Sequence, residues 1–335
     1  MQIAINATLG HYQAKGKARD LCDTVIMKQL AALLTLASSL AIPALSQNKG
    51  NPLVGRWDFN MTSQGGTRAV WLGVTEKAGV FDVWYQPSGG NVYQLKDFKV
   101  DGSHMTITIS PAASNRPAVT WELEASGDKL TGFQKRGENA SPLAGVRAPD
   151  LKRAAPAAWT TPEPLFNGRN LDGWEPTTAA ENHWVARNGE LVNEAHGANL
   201  KTTRKFDDFK LHIEFNCPDG GNSGIYLRGR YEVQVEYEPP ASEPPERGMG
   251  SIYGRLTPAD MPRTPGQWES FDITLVGRTL AIVRNGVTII DHKEIEGITG
   301  GALDADEGEP GPFYIQGDHT GGLRFRNITI SVPRR

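Results

Sequence analysis

The sequence predicts an all-β protein built from two units, and three observations carry that prediction. First, 37 glycines and 22 prolines punctuate 335 residues, a density that favours short strands joined by turns over long helices. Second, strand signals recur at regular spacing, with no evident helix of ten residues in the second half of the chain. Third, residues 221–238, GNSGIYLRGRYEVQVEYE, alternate with a period of two. The odd positions there are Ile225, Leu227, Gly229, Tyr231, Val233 and Val235, and the even ones are Tyr226, Arg228, Arg230, Glu232, Gln234 and Glu236. An extended chain places the first set on one face and the second on the other. Gly229 and Arg230 mark either a bend in one long strand or the corner of a tight hairpin. Arginines, glutamates, a glutamine and an aromatic in one row suit a polyhydroxylated ligand, where an ordinary wet sheet face is the alternative.

Length and composition fit this class. A hydrophobic content of 39% is ordinary for a globular protein, and the chain is long enough for two cores. A net charge of −3 with no basic run of five argues against nucleic-acid binding.

Residues 1–46 read as an extension outside the fold. Met27-Lys28 precedes an apolar stretch that ends at Ala44-Leu45-Ser46, the form of a secretory signal peptide cleaved before Gln47, with translation starting at Met27. The apolar stretch is short and broken by serines, so a stable membrane anchor is not expected. A periplasmic or secreted protein is. Cys22 leaves with the leader, and Cys217 then has no intrachain partner. Beside Pro218 it is expected to be buried and inert.

Residues 51–147 read as short strands at 55–60, 67–74, 79–85, 96–100, 105–109, 118–123 and 129–134. Asp101-Gly102 and Gly127-Asp128 supply tight turns. A small antiparallel barrel or sandwich follows. Trp57, Trp71, Trp84 and Trp121 either line a ligand mouth or fill the core, and core filling is the commoner use. His104 has no evident partner, and this unit is assigned no chemistry. Residues 148–164 hold four prolines and a run of alanines, a linker. The second unit spans 165–335.

That unit carries an ordered set of short motifs. They include Leu165-Phe166-Asn167-Gly168, Asn170-Leu171-Asp172-Gly173-Trp174, Asn222-Ser223-Gly224-Ile225-Tyr226, Tyr231-Glu232-Val233-Gln234-Val235, Pro265-Gly266-Gln267-Trp268 and Leu323-Arg324-Phe325-Arg326-Asn327-Ile328. In this order, over about 162–332, they resemble the 3-keto-disaccharide hydrolase family, long catalogued as the domain of unknown function DUF1080. The resemblance implies a concanavalin A-like jelly roll of two antiparallel sheets, one concave, with the sugar on the concave face. It also implies action on glycosides already oxidised to a ketone at C3, by hydrolysis or by elimination across C1 and C2.

Such chemistry needs one base for the acidified C2 hydrogen, one donor or cation near the ketone oxygen, and one acid for the leaving oxygen. Glu232, central in the polar row, is the first choice for the base or its partner. Arg228 is placed on the same face to stabilise the enolate oxygen. Asp318 and His319, in a Gly-flanked loop, resemble the family's Gln-Asp-His-Gly segment and supply an acid or base. The extra Gly317 after Gln316 is a one-residue departure that bears on how they are aimed. Asn222, Tyr226, Gln234 and Glu236 are expected to bind sugar, with Tyr253 as a stacking platform and Trp174 as either a second platform or a core plug. Of Arg324 and Arg326, one is expected to point inward, and Arg326 is the candidate.

Two other classes compete. Glu232 and Glu236 have nearly the spacing of the paired carboxylates of jelly-roll endoglucanases, although Gln234 replaces the intervening aspartate. A lectin-like module would use the same face without cutting. No cofactor is expected; Asp304, Asp306, Glu307 and Glu309 form either a structural calcium site or a solvated acidic loop. The expected partners are a small carbohydrate and an upstream oxidoreductase that makes the 3-keto sugar. The proline- and glutamate-rich loop at 239–265 is expected to lean over the cleft.

Overall fold

In the computed structural model the described residues are 50–63, 66–110, 117–239 and 244–334. The expected signal peptide, the Met27 start and the cleavage before Gln47 lie outside them. Among the described residues the protein is almost entirely β, with only two single-turn 3-10 segments, Ala179–Glu181 and Pro245–Arg247.

Nine strands between Gly55 and Arg147 form one antiparallel sheet. Its two outermost strands, Tyr93–Gln94 and Phe98–Asp101, are separated by only three residues, so the sheet curls until its edges nearly meet. A meander closed this way buries one face of every strand. Trp57, Trp121, Phe59, Leu72 and Ile107 fill the interior, so Trp57 and Trp121 serve the core. Trp71 instead joins the core cluster of the second unit, and Trp84 is partly exposed. The strand Asn139–Arg147 escaped the sequence reading because Pro142 interrupts it. Proline is tolerated there because the neighbouring strand reaches only Gly145, Val146 and Arg147, leaving residue 142 with no ladder bond to make on that side.

The second unit is a sandwich. One sheet contains Trp184–Arg187, Glu190–Asn193, Arg324–Ser331, Phe209–Asn216, Trp268–Val276, Thr279–Arg284 and Val287–Glu294, with Glu163–Pro164 added beside Arg324–Ser331. The other contains Trp174–Pro176, Leu200–Thr202, Tyr314–Ile315, Asn222–Leu227 and Tyr231–Glu236. Between them lie Phe209, Leu211, Phe215, Phe271 and Ile273, packed with Ile225, Leu227, Val233 and Val235. Burying each of these apolar side chains is worth about 1.5–3 kcal/mol, which fixes the apolar row inward.

The stretch around Gly229 is a hairpin. Arg228 and Gly229 both have positive φ, 53° and 70°, and the Arg230 N–H donates to the Leu227 carbonyl at 3.0 Å. Leu227 faces Tyr231 and Tyr226 faces Glu232 across the ladder. The turn keeps the period of two, so the even row survives on both strands. It is nevertheless buried: all twelve residues of the two strands are covered.

The segment at 148–164 is not a free spacer. Ala148 and Leu151 are buried, and Arg153 bridges Asp207 and Asp208 at 2.6 and 2.9 Å. The two β units also pack on each other. Asn60 donates to Asp306 at 2.7 Å, Arg56 pairs with Glu294 at 3.0 Å, and Arg255 lies 4.3 Å above the Trp71 ring.

Candidate functional site

The outward row of the hairpin opens into a cavity of about 340 Å³ lined by Asn222, Tyr226, Glu232, Gln234, Tyr253, Gln316, Asp318 and His319, among others. Its floor is the Tyr226–Glu232 pair. The Tyr226 hydroxyl lies 2.8 Å from Glu232 Oε2 and 2.7 Å from the Gly300 carbonyl oxygen, and it accepts from Gln316 Nε2 at 3.2 Å. A phenol has one hydrogen to give. When Glu232 is protonated it donates to the Tyr226 oxygen, and Tyr226 donates to Gly300. When Glu232 is ionised, Tyr226 turns its hydrogen to the carboxylate. With its amide oriented so that nitrogen donates, Gln234 reaches Glu232 Oε1 and the Ser223 carbonyl, each at 3.1 Å.

Gly224 stands opposite Gln234 on the ladder, and a Cβ there would overlap the Glu232 carboxyl. The absent side chain gives the carboxyl its place. Burial pushes the Glu232 carboxyl up to about 8, against the lowering effect of the Tyr226 hydroxyl and of His319. Removing a carboxylate from water disfavours its charged form.

At the rim, His319 Nδ1 and Asp318 Oδ1 are 2.9 Å apart. The Asp318 hydrogen bond raises the imidazole above its ordinary value, despite partial burial. Burial pushes Asp318 up, but the bond and charge of His319 and the Asn199 amide outweigh it, so the carboxyl sits below the usual range. The loop is held by Asn199, whose Oδ1 accepts from the Gly317 and Asp318 N–H groups at 2.7 and 3.1 Å. Gly317 packs against the Ala198 carbonyl with no room for a Cβ. The extra residue thus fits this backbone and still delivers both side chains to the cavity.

Two buried acceptors at the site, Asn222 Oδ1 and Gln316 Oε1, have no partner among the described protein groups. Acceptors of this kind suit ligand hydroxyls. Among the residues lining the cavity, His319 is the one side chain that can carry positive charge.

Seven expected residues therefore converge: Glu232, His319, Asp318, Asn222, Tyr226, Gln234 and Tyr253. Four do not. Arg228 leaves the row because the turn swings it away; buried, it reaches Asp207 at 3.2 Å, the Tyr231 hydroxyl at 3.2 Å and the Gly277 carbonyl at 2.9 Å. Glu236 shares the face of Glu232, but four residues of strand carry it about 13 Å away. It lines a different cavity with Arg263 and Arg284 and accepts the Glu238 N–H at 2.7 Å. Trp174 is a core plug, its indole donating to the Leu165 carbonyl at 2.9 Å. Arg326 stands on the opposite sheet, paired with Glu214 at 2.7 Å and stacked 3.9 Å over Trp268. Arg324 shares its face, because residues two apart on a strand point the same way, and it pairs with Glu190. Neither lines the cavity.

The acidic loop is partly solvated, with Asp306 and Glu309 exposed, and partly paired. Asp304 pairs with Arg230, Asp306 with Asn60, and Glu307 with Arg278 and Tyr231. Among the described residues, no group of three or more His, Cys, Asp or Glu is arranged to hold a metal. Cys217 is buried, and burial pushes its thiol up to about 12.

Sequence reasoning missed Gln316, Gly300, Gly301, Ser88, Gly89 and Gly90, all of which line the cavity. Gln316 precedes the Asp318–His319 loop and was legible there. The contribution of residues 88–90 depends on packing between units and left no local mark.

Comparison with known proteins gives the same region. Residues 161–331 match the model of the 3-keto-alpha-glucoside-1,2-lyase-like domain. No curated protein matches the chain. Among solved structures, a candidate glycosyl hydrolase from Parabacteroides distasonis is 28% identical, with 54% of this chain and 93% of that one covered at a TM-score of 0.44. A second from the same organism is 20% identical, covering 50% and 92% at 0.43. A carbohydrate-binding module from Bacillus subtilis is 13% identical, covering 48% and 96% at 0.32.

Proposed function

The chain belongs to the 3-keto-alpha-glucoside-1,2-lyase-like family, a carbohydrate-active family, and from that premise we propose that it cleaves the glycosidic bond of 3-keto-glycosides by elimination. The observation that carries this reading is the convergence of a buried Glu232, its carboxyl raised by burial, and the Asp318–His319 pair on one cavity. A lectin needs no such acid–base set.

In the proposed reaction Glu232 removes the C2 proton. The C2–H electrons form the enolate with the C3 ketone, and the enolate collapses to a C1=C2 double bond as the C1–O bond breaks. The departing oxygen takes a proton from His319, whose charge also favours the developing enolate. Glu232 ends protonated and His319 neutral; proton return resets the pair. Water adding across the double bond converts elimination to net hydrolysis. A carboxyl titrating near 8 is a better base than an ordinary one, and general bases gain from being tuned toward working pH. Tyr226 follows the proton by turning between Gly300 and Glu232.

The ketone must come from a prior oxidation, so an oxidoreductase acting on the same glycoside is the proposed upstream partner, and export through residues 27–46 the proposed route.

Product analysis in deuterated water tests this. A 3-keto glucoside is expected to yield a 2-hydroxyglycal or deuterium at C2, with the unoxidised parent untouched. Cleavage of the parent would replace the reading with a conventional glycosidase, and binding without turnover with a lectin-like module.

A further inference from the structure

The wall of the cavity nearest the first β unit is not made by the family domain. Ser88, Gly89 and Gly90 line the same space as Glu232 and His319, yet they precede the matched residues 161–331. Three contacts hold this turn in place. The Gly301 N–H donates to the Ser88 carbonyl at 3.1 Å. Gly300 packs against the Gly90 backbone with no room for a Cβ. The Gln86 side chain, fully buried, donates to the Pro87 and Gly90 carbonyls at 2.9 and 2.8 Å. Gly90 has φ +76°, and Asn91 next to it meets Gly254 beside the cavity residue Tyr253. A turn fixed at both ends and from within is a rigid wall. The cavity volume of about 340 Å³ lies at the small end of the roughly 300–1,000 Å³ of ligand pockets.

We infer that the turn at residues 87–91 of the first β unit is a specificity element of the carbohydrate site: it closes one end of the cleft, so the site takes a short glycoside and rejects an internal unit of a polysaccharide. The inference rests on the reading of this cavity as a sugar site. It gives the first unit a role in substrate choice, without contact chemistry of its own.

The test uses the chain from Gln47 onward and a length series: the 3-keto derivatives of a methyl glucoside, a glucose disaccharide and a glucose tetrasaccharide oxidised at an internal unit. The unaltered protein is expected to turn over the first two and to lose at least about tenfold in kcat/KM on the last, a difference of about 1.4 kcal/mol. Equal turnover along the series overturns the inference. Gly89 offers a direct probe, because a Cβ there meets nothing within 4 Å and its φ is outside the positive range. Gly89→Trp is expected to raise KM for the disaccharide more than for the methyl glucoside, and an unchanged ratio counts against the wall. Should that variant melt early, the series on the unaltered chain still decides. Should no keto sugar be cleaved, the elimination reading fails by itself. Calorimetric titration with the unoxidised methyl glucoside, disaccharide and tetrasaccharide then reads length preference from binding. Binding that ignores length, or no binding at all, rejects the wall.

Discussion

The hairpin contributes to two buried tyrosine–glutamate pairs, one on each face, the second completed by Glu307 of the acidic loop, and they differ in everything around them. On the cavity side Tyr226 meets Glu232 at 2.8 Å, where His319 at the rim is the cavity's one cationic side chain. On the inner side Tyr231 meets Glu307 at 2.5 Å. There Arg278 reaches the carboxylate at 3.2 Å, and Arg228 holds the phenol at 3.2 Å. Asp58 of the first β unit joins this second cluster; burial foremost, then the charge of Glu307, pushes its carboxyl up to about 9. A buried carboxylate matched by arginines is part of the framework, because its charge is already answered. One backed by a phenol and open to a cavity keeps its proton chemistry for a ligand. The same two side chains thus hold the units together on one face and are proposed to do chemistry on the other.

The comparison breaks most sharply at the carboxylates. Glu232→Gln is expected to lower turnover of a 3-keto glucoside by about 10²–10⁴-fold, the range of a lost general base, and to leave the melting temperature unchanged or higher at neutral pH. Glu307→Gln should do the reverse. It takes the nearer counter-charge from the buried Arg278, leaving Glu294 at 4.0 Å, which costs up to about 3–5 kcal/mol, while the folded fraction stays active; urea unfolding and specific activity separate the two.

A smaller effect is expected at the phenol. Tyr226→Phe removes a donor that lowers the Glu232 value, so the limb of the pH–rate profile that rises as Glu232 ionises near 8 moves to higher pH. Turnover at pH 7 falls roughly tenfold if that limb moves one unit. His319 gives the other limb, because its proton is lost as pH rises through its raised value. His319→Ala should abolish that limb, leaving a rate that climbs to a plateau.

A separate test reads the framework cluster by linkage. Asp58 has a folded value of about 9 against an unfolded one near 3.8. Its stabilising contribution is complete below the unfolded value and is lost as pH rises through the folded one. Asp58→Asn removes that dependence. The variant should gain on the parent in melting temperature from about pH 4 upward, with the difference levelling off above about pH 9.

Much of this was legible in the chain. Strand alternation placed the strands, and the even row put Tyr226, Glu232 and Gln234 on one cavity because a buried apolar row leaves its neighbours no other side. Arg228 failed because the sequence allowed both a bend and a hairpin, and only the left-handed pair at 228 and 229 takes its side chain out of the row. Glu236 failed on distance along a strand already correctly drawn. Arg326 belonged to another sheet, and pairing between distant segments has no local signature. The turn at 87–91 was illegible for the same reason: its neighbours, Gly300 and Gly301, lie more than 200 residues further along the chain.

One consequence of the hairpin concerns variation over time. Three residues separate Leu227 from Tyr231, and that number keeps Tyr226 and Glu232 on one face. One residue more or less would turn Glu232 and Gln234 into the core and Val233 and Val235 into the cavity. The turn lines no part of the cavity, yet its length is the punctuation by which the rest of the strand is read. Descendants of this chain are free to respell it and are barred from lengthening it by a single letter.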